Sequence, residues 1–246
     1  MKKHEGRYPL ARSASQGMNP DTSIALFGAT GLVGGECLRL LPDDGGFSRV
    51  MIFTRRPLAV KPEDAADRPK LETRVLDFEQ IERLGEALAV DQIVCALGTT
   101  MRKAGSRQEF RTVDFDYPLA IARLALAQGA RHFLLVSALG ANASSRWFYS
   151  RVKGELEAAI LALPFRSHTI VRPSLLLGTR VEFRLGEKVA EWLAFLMPEK
   201  YKPVSAAAVA EALVAAAREG RVGKRIIESA EIRASAGRRR DPGPVS

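Results

Sequence analysis

A tyrosine and a lysine four residues apart, Tyr149 and Lys153, are the residues of this 246-residue sequence best suited to acid–base chemistry. On a helix, residues i and i+4 lie on the same face. We expect the lysine ammonium to favour the phenolate and lower the pKa of the phenol, which makes proton exchange easier near neutral pH. Ser137, twelve residues before Tyr149, is expected to hydrogen-bond the same substrate oxygen. The spacing alone also fits a surface pair on an amphipathic helix.

A glycine-rich segment upstream gives that pair its context. The spacing G-x-x-G-x-x-G falls between a predicted strand and a predicted helix, in the segment Gly28-Ala29-Thr30-Gly31-Leu32-Val33-Gly34. The first glycine permits a tight turn, the second lets the backbone approach a pyrophosphate at the helix N-terminus, and the third allows close helix–strand packing. The segment therefore predicts dinucleotide binding, with a purely structural turn as the alternative.

Residues after the following strands indicate which dinucleotide is bound. Arg55 and Arg56 stand where an NAD site usually has an acid, and arginines bind a 2′-phosphate by charge-assisted hydrogen bonds. We therefore expect NADP(H) to be favoured over NAD(H), unless both arginines are solvated loop residues. Asp77 either meets the adenine edge or caps the next helix. The segment Leu97-Gly98-Thr99 is expected to border the cofactor.

The elements that must position these residues alternate between strand and helix. Strands that are apolar on both faces indicate a parallel sheet covered on each side, which predicts an α/β, Rossmann-type doubly wound fold. The predicted strands are Ser23–Phe27, Val50–Phe53, Thr73–Leu76, Gln92–Leu97, His132–Ser137 and His168–Val171. The predicted helices are Val33–Leu41, Glu79–Leu88, Ser106–Gln128 with a break or kink at Pro118, and Phe148–Leu163.

Beyond Pro173 the pattern loosens. We expect a single domain over residues 21–232, with a small substrate lobe from about residue 174 built from the segments Leu185–Met197, Ala206–Arg218 and Arg225–Ser229. Residues 1–20 and the basic segment 233–246 are expected to be disordered tails, and residues 59–70 a polar loop.

Composition excludes several classes of protein. No apolar run reaches the roughly 18 residues of a membrane span. The net charge of +9 comes mainly from the two ends of the chain, so we do not expect a nucleic-acid partner. Two cysteines and three scattered histidines offer no metal-ligand spacing, so no metal is expected, and a reducing cytoplasm is the expected location. The chain is expected to be a monomer or homodimer.

Taken together, these motifs resemble the short-chain dehydrogenase/reductase superfamily, in its atypical or extended branch. The resemblance is most specific to the TIP30/CC3 (HTATIP2-like) oxidoreductase family and covers about residues 22–232. It is carried by the glycine loop together with Leu97-Gly98-Thr99-Thr100, Lys103-Ala104-Gly105, Val113-Asp114, His132-Phe133, Tyr149 through Glu155 and Arg172-Pro173.

The resemblance implies roles for single residues. Tyr149 would be the catalytic acid/base, Lys153 would bind the nicotinamide ribose, Arg55 would take the 2′-phosphate, and Arg180 would line the substrate side. The sequence departs from the wider superfamily where Ala96-Leu97-Gly98 replaces an asparagine-containing segment, and where Asp114 lies near the place of a supporting asparagine.

Two functions are consistent with these features. The first is an NADP(H)-dependent oxidoreductase acting on the carbonyl or alcohol group of a small molecule, with an epimerase or dehydratase as a variant. The second is an NADPH-binding regulatory protein with little turnover. The sequence does not identify the substrate.

Overall fold

The computed structural model describes residues 21–58, 70–177 and 201–240. The expectations for the tail 1–20, the loop 59–69, the helix 185–197 and Arg180 fall outside these ranges.

Within the described ranges, seven strands form one parallel sheet in the order β3-β2-β1-β4-β5-β6-β9. Their bounds are β1 (Ser23–Phe27), β2 (Arg49–Thr54), β3 (Leu71–Val75), β4 (Gln92–Cys95), β5 (His132–Val136), β6 (Ser167–Arg172) and β9 (Gly223–Glu228). Two short strands, β7 (Leu176–Leu177) and β8 (Val204–Ser205), pair with each other. The order reverses between β1 and β4, which confirms the doubly wound α/β fold.

Helices cover both faces of the sheet, and the central strands are therefore buried on both sides. The α-helices are α1 (Leu32–Leu40), α2 (Met101–Ala104), α3 (Arg107–Arg111), α4 (Tyr117–Ala127), α5 (Phe148–Ala162), α6 (Ala206–Glu219) and α7 (Ser229–Arg240). Buried residues of α1 and α6, such as Cys37 and Leu213, belong to the apolar core on one face. Residues of α4 and α5, such as Ile121 and Ile160, belong to the core on the other face.

The long helix predicted over Ser106–Gln128 is instead built of three segments. A π-helical turn, Thr112–Asp116, separates α3 from α4. Pro118 lies in the first turn of α4, and it has no amide hydrogen to donate to the carbonyl of Asp114. The hydrogen-bond ladder therefore changes its spacing here, and the turn presents the buried side chain of Asp114.

Other elements also differ from expectation. The predicted helix Glu79–Leu88 is a 3-10 helix, Phe78–Leu88, interrupted at Gly85, where φ is +43°. The segments Ala206–Arg218 and Arg225–Ser229, expected in a substrate lobe, lie in α6 and β9 of the main layers. The basic tail expected from residue 233 is helical as far as Arg240. None of the described helices is long and apolar enough to cross a membrane.

Candidate active site

The glycine segment forms a tight turn between β1 and α1, at the point where the strand order reverses. Gly28 has φ +88°, and a Cβ there would lie 2.5 Å from the carbonyl oxygen of Ala96. A Cβ on Gly34 would lie 2.0 Å from the carbonyl oxygen of Gly28. No side chain caps α1 at Gly31. The turn therefore lets a ligand approach the protein backbone closely, and it leaves the N-terminus of α1 open to an anion.

A cleft of about 390 Å³ opens beside this turn. The predicted residues that line it are Gly28, Ala29, Thr30, Gly31, Arg55, Leu97, Gly98 and Thr99. Leu32, Val33 and Gly34 do not line the cleft, because they form the first turn of α1. Lys103, on α2, also lines the cleft; the sequence offered it as part of a family motif, without a role.

The three charged residues predicted for the ribose and adenine end occupy different places. Arg55 and Arg56 are both exposed, but only Arg55 lines the cleft. Asp77 accepts a hydrogen bond from the backbone N–H of Glu79 at 3.0 Å, so it caps the 3-10 helix. Of the two roles considered for Asp77, the structure shows the cap.

Tyr149 and Lys153 lie on one face of α5, as their spacing predicts. The Tyr149 ring is partly exposed and packs against Phe110, with 5.6 Å between ring centroids. Lys153 is buried, and its Nζ lies 2.7 Å from Oδ1 of the equally buried Asp114. The second carboxylate oxygen of Asp114 accepts a hydrogen bond from the backbone N–H of Thr99 at 2.7 Å.

Burial and Asp114 both oppose the effect that Lys153 is expected to have on Tyr149. Burial raises the pKa of Tyr149, Lys153 lowers it and Asp114 raises it, so the net direction is upward rather than the predicted downward. Burial alone lowers the pKa of Lys153, but Asp114 and Tyr149 more than offset this, and the net pKa is raised. The expectation of a lowered phenol pKa is therefore wrong, because burial of the phenol outweighs the effect of the Lys153 ammonium and Asp114 opposes that effect as well.

Ser137 follows β5 directly and is buried. Its backbone N–H donates to the carbonyl of Val171 at 2.8 Å. Its hydroxyl has no hydrogen-bond partner among the described residues. A buried hydroxyl without a partner is costly, so it is available to a ligand group that can hydrogen-bond it.

Two contacts that sequence reasoning missed hold α5 in place. A Cβ on Gly154 would lie 2.2 Å from the backbone of Asn142 and Ala143, so the loop after β5 packs directly on α5. Glu157, one turn beyond Lys153, accepts a hydrogen bond from the Arg172 side chain at 3.0 Å. The only sequence signal for the first contact is a glycine inside a predicted helix.

The residues around the glycine turn fit a bound dinucleotide. The glycine turn leaves space that side chains would otherwise fill. Ser137, directly after β5, has a buried hydroxyl that lacks a hydrogen-bond partner among the described residues. Within residues 21–58, 70–177 and 201–240, no group of three His, Cys, Asp or Glu side chains is arranged to hold a metal ion.

Comparison with known proteins agrees with this geometry. A family model described as NAD(P)H-binding matches residues 28–220. Protein HTATIP2 of Rattus norvegicus is 38% identical over 180 residues, which cover 73% of each chain. Protein FMP52 of Candida albicans is 33% identical over 213 residues, covering 80% of this chain and 89% of the relative. A short-chain dehydrogenase/reductase family oxidoreductase from Burkholderia thailandensis superposes with a TM-score of 0.64 at 18% identity, covering 92% and 99% of the two chains.

The same comparison contradicts the expected cytoplasmic location. The FMP52 relatives, from Candida albicans, Emericella nidulans and other fungi, are named mitochondrial proteins. The expectation rested on two cysteines, which are both free and buried. Free thiols do not distinguish one reducing compartment from another, and this is why the inference failed.

Proposed function

The chain belongs to the NAD(P)H-binding family, and from that premise we propose that it is an NADP(H)-dependent oxidoreductase that uses Tyr149 as its acid/base. The observation that carries the proposal is the buried Lys153 on the same helix face as Tyr149, tied through Asp114 to the backbone of the cleft-lining Thr99. A surface Tyr–Lys pair would have an exposed lysine.

The chain's own residues divide the work of binding. The open N-terminus of α1 and the backbone around Gly28 and Gly31 would hold the pyrophosphate. Lys153 would hold the nicotinamide ribose. When bound, the nicotinamide supplies or accepts a hydride. Tyr149 would exchange a proton with the substrate oxygen, and the unpaired hydroxyl of Ser137 would hydrogen-bond that oxygen.

Arg55 supports a preference for NADP(H). It lines the cleft at the end of β2, where an acid would otherwise hold the ribose hydroxyls of NAD. Its guanidinium matches the geometry of a 2′-phosphate. Lys103 lines the same cleft and adds a second cation to it.

The cofactor preference is tested by fluorescence titration of the protein with NADPH and NADH. Wild type is expected to bind NADPH more tightly. Arg55→Ala should remove most of that preference, about 2 kcal/mol or roughly 30-fold for a lost charge-assisted contact, and leave NADH binding unchanged. Arg56→Ala is the matched control, because Arg56 is the exposed neighbour that does not line the cleft. Equal affinity of wild type for both nucleotides would contradict the assignment.

Turnover is tested by following NADPH oxidation with a panel of small carbonyl compounds. Tyr149→Phe should abolish turnover and keep nucleotide binding, since the phenol hydroxyl is removed and the ring that packs on Phe110 remains. Tight nucleotide binding without turnover in wild type would favour the regulatory alternative instead.

A further inference from the structure

The carboxylate of Asp114 is fixed between the cleft and the acid/base helix. It is fully buried, its Oδ1 lies 2.7 Å from the Lys153 ammonium, and its Oδ2 accepts the Thr99 N–H at 2.7 Å. A Cβ on Gly98 would come within 3.4 Å of Oδ1, so the backbone of the cleft loop packs closely against it. An asparagine amide could fill the same space, but it would not carry the charge.

The negative charge of Asp114 changes the electrostatic effect of Lys153 on the Tyr149 phenol. An uncompensated ammonium near a phenol favours the phenolate. Here a carboxylate partner is in direct contact with the ammonium, and its negative charge opposes the effect of the ammonium on the phenol. The further ionisable group with a charge interaction at Lys153 is Cys95 on β4, and burial raises the pKa of its thiol to about 12, so it is neutral. The Tyr149 ring itself packs on the apolar Phe110 of α3.

We propose that Asp114 is a positioning residue that holds Lys153, cancels its charge and keeps Tyr149 in the proton-donating form, so that the site is built for carbonyl reduction. The inference rests on the proposed oxidoreductase function. In the reaction, the C=O π bond breaks, the carbonyl carbon gains a hydride from the reduced nicotinamide, and the carbonyl oxygen gains the Tyr149 proton. Solvent then restores the proton to Tyr149, and the nicotinamide is left oxidised.

Asp114→Asn tests the proposal without requiring a known substrate. Phenolate absorbance is titrated against pH, and the Tyr149 signal is isolated by subtracting the same titration of Tyr149→Phe on each background. The Tyr149 phenolate is expected to form at least about one pH unit lower in Asp114→Asn, a tenfold change in the proton equilibrium. Asp116→Asn, an exposed carboxylate in the same π-helical turn, is the matched control and should leave the titration unchanged.

A second variant keeps the test decisive if Asp114→Asn does not fold, since it leaves Lys153 buried without its partner. Asp114→Asn combined with Lys153→Met removes both charges. If the two charges cancel, the Tyr149 titration stays within about half a unit of wild type. A rise of about one unit or more would show that the ammonium acts uncompensated and would overturn the proposal. An unchanged titration in a folded Asp114→Asn protein would overturn it as well.

The pH profile of turnover separates this proposal from the proposed function. With a carbonyl substrate, the rate of reduction in Asp114→Asn should begin to fall about one unit lower in pH than in wild type, a shift that a purely structural role would not produce. A shifted phenolate titration in a protein that reduces no carbonyl would refute the oxidoreductase function and the reductive role, and would leave the charge cancellation standing.

Discussion

Acid should destabilise this protein through one buried histidine, His132 on β5. The residue is 4% exposed, its Nε2 lies 2.9 Å from the Thr169 hydroxyl, and its Nδ1 has no hydrogen-bond partner among the described residues. Burial, with a smaller contribution from His168, lowers the pKa of His132 from 6.5 to about 4. The folded protein therefore holds this imidazole neutral at pH values where the unfolded chain protonates it.

The magnitude follows from linkage between protonation and folding. Between pH 6.5 and 4 the unfolded state binds the extra proton, so the free energy of unfolding falls as the pH falls. The stabilisation is complete above pH 6.5 and is lost progressively down to the folded-state pKa of about 4. A lowering from 6.5 to about 4 corresponds to a total loss of about 3 kcal/mol, of which about 2 kcal/mol is lost by pH 5. That is a large part of an ordinary domain stability of roughly 5–15 kcal/mol.

The assay is urea denaturation at pH 7.5 and at pH 5, on wild type and on His132→Gln. The glutamine keeps a group able to hydrogen-bond Thr169 and removes the titration. Its free energy of unfolding should drop between the two pH values by about 2 kcal/mol less than that of wild type. NMR of the imidazole resonances measures the pKa directly. A folded-state titration near pH 6.5, or equal pH dependence in both proteins, would refute the reasoning.

Two pairs of glycine substitutions test the packing of the site. Gly34→Ala places a Cβ 2.0 Å from the Gly28 carbonyl oxygen and should cost roughly 1–3 kcal/mol and weaken NADPH binding, measured by thermal denaturation and fluorescence titration. Gly35→Ala, in the same helix, places its Cβ at an ordinary 3.5 Å from Ala29 and should be neutral or stabilising by up to about 1 kcal/mol; equal losses in both would contradict the assignment. Gly154→Ala should displace the loop after β5 and reduce turnover more than nucleotide binding, and equal loss of both would contradict this. Gly129→Ala is the control, because it adds a methyl group at a surface turn where nothing lies within 4 Å of the new Cβ. Only the strain of its φ of +92° should lower the stability of this variant, and turnover should be unchanged.

Local patterns account for the parts of the site that the sequence predicted well. The glycine turn follows from β1, three glycines and α1, which are contiguous in the chain, and the Tyr149–Lys153 relation follows from helix periodicity alone. In each case the residues that decide the structure lie within about one element of each other.

The parts that failed depend on contacts between distant segments. Asp114 meets Lys153 only because a π-helical turn shifts the register of the helix before Pro118, and the sequence showed a proline without showing which side chain the shift would bury. Burial is the largest cause of the raised Tyr149 pKa, and Asp114 adds to it; neither could be read from the spacing of Tyr149 and Lys153. The position of the segment Ala206–Arg218 was also predicted wrongly. Its alanine-rich face can pack closely on another helix or belong to a small lobe, and only its packing on α1 distinguishes the two.

The helix that carries the acid/base pair is anchored by two ion pairs that lie one helical turn apart on the same face. Tyr149, Lys153 and Glu157 follow each other at intervals of four, and both buried charges are paired with other elements. Lys153 contacts Asp114, and Glu157 contacts Arg172 at the end of β6, which also bonds Glu228 of β9 at 2.9 Å. Breaking a buried ion pair costs more than the pair contributes, since it leaves a charge uncompensated. The two pairs therefore restrict rotation and sliding of α5, and this fixes the position of the Tyr149 hydroxyl relative to the cleft more firmly than apolar packing alone would.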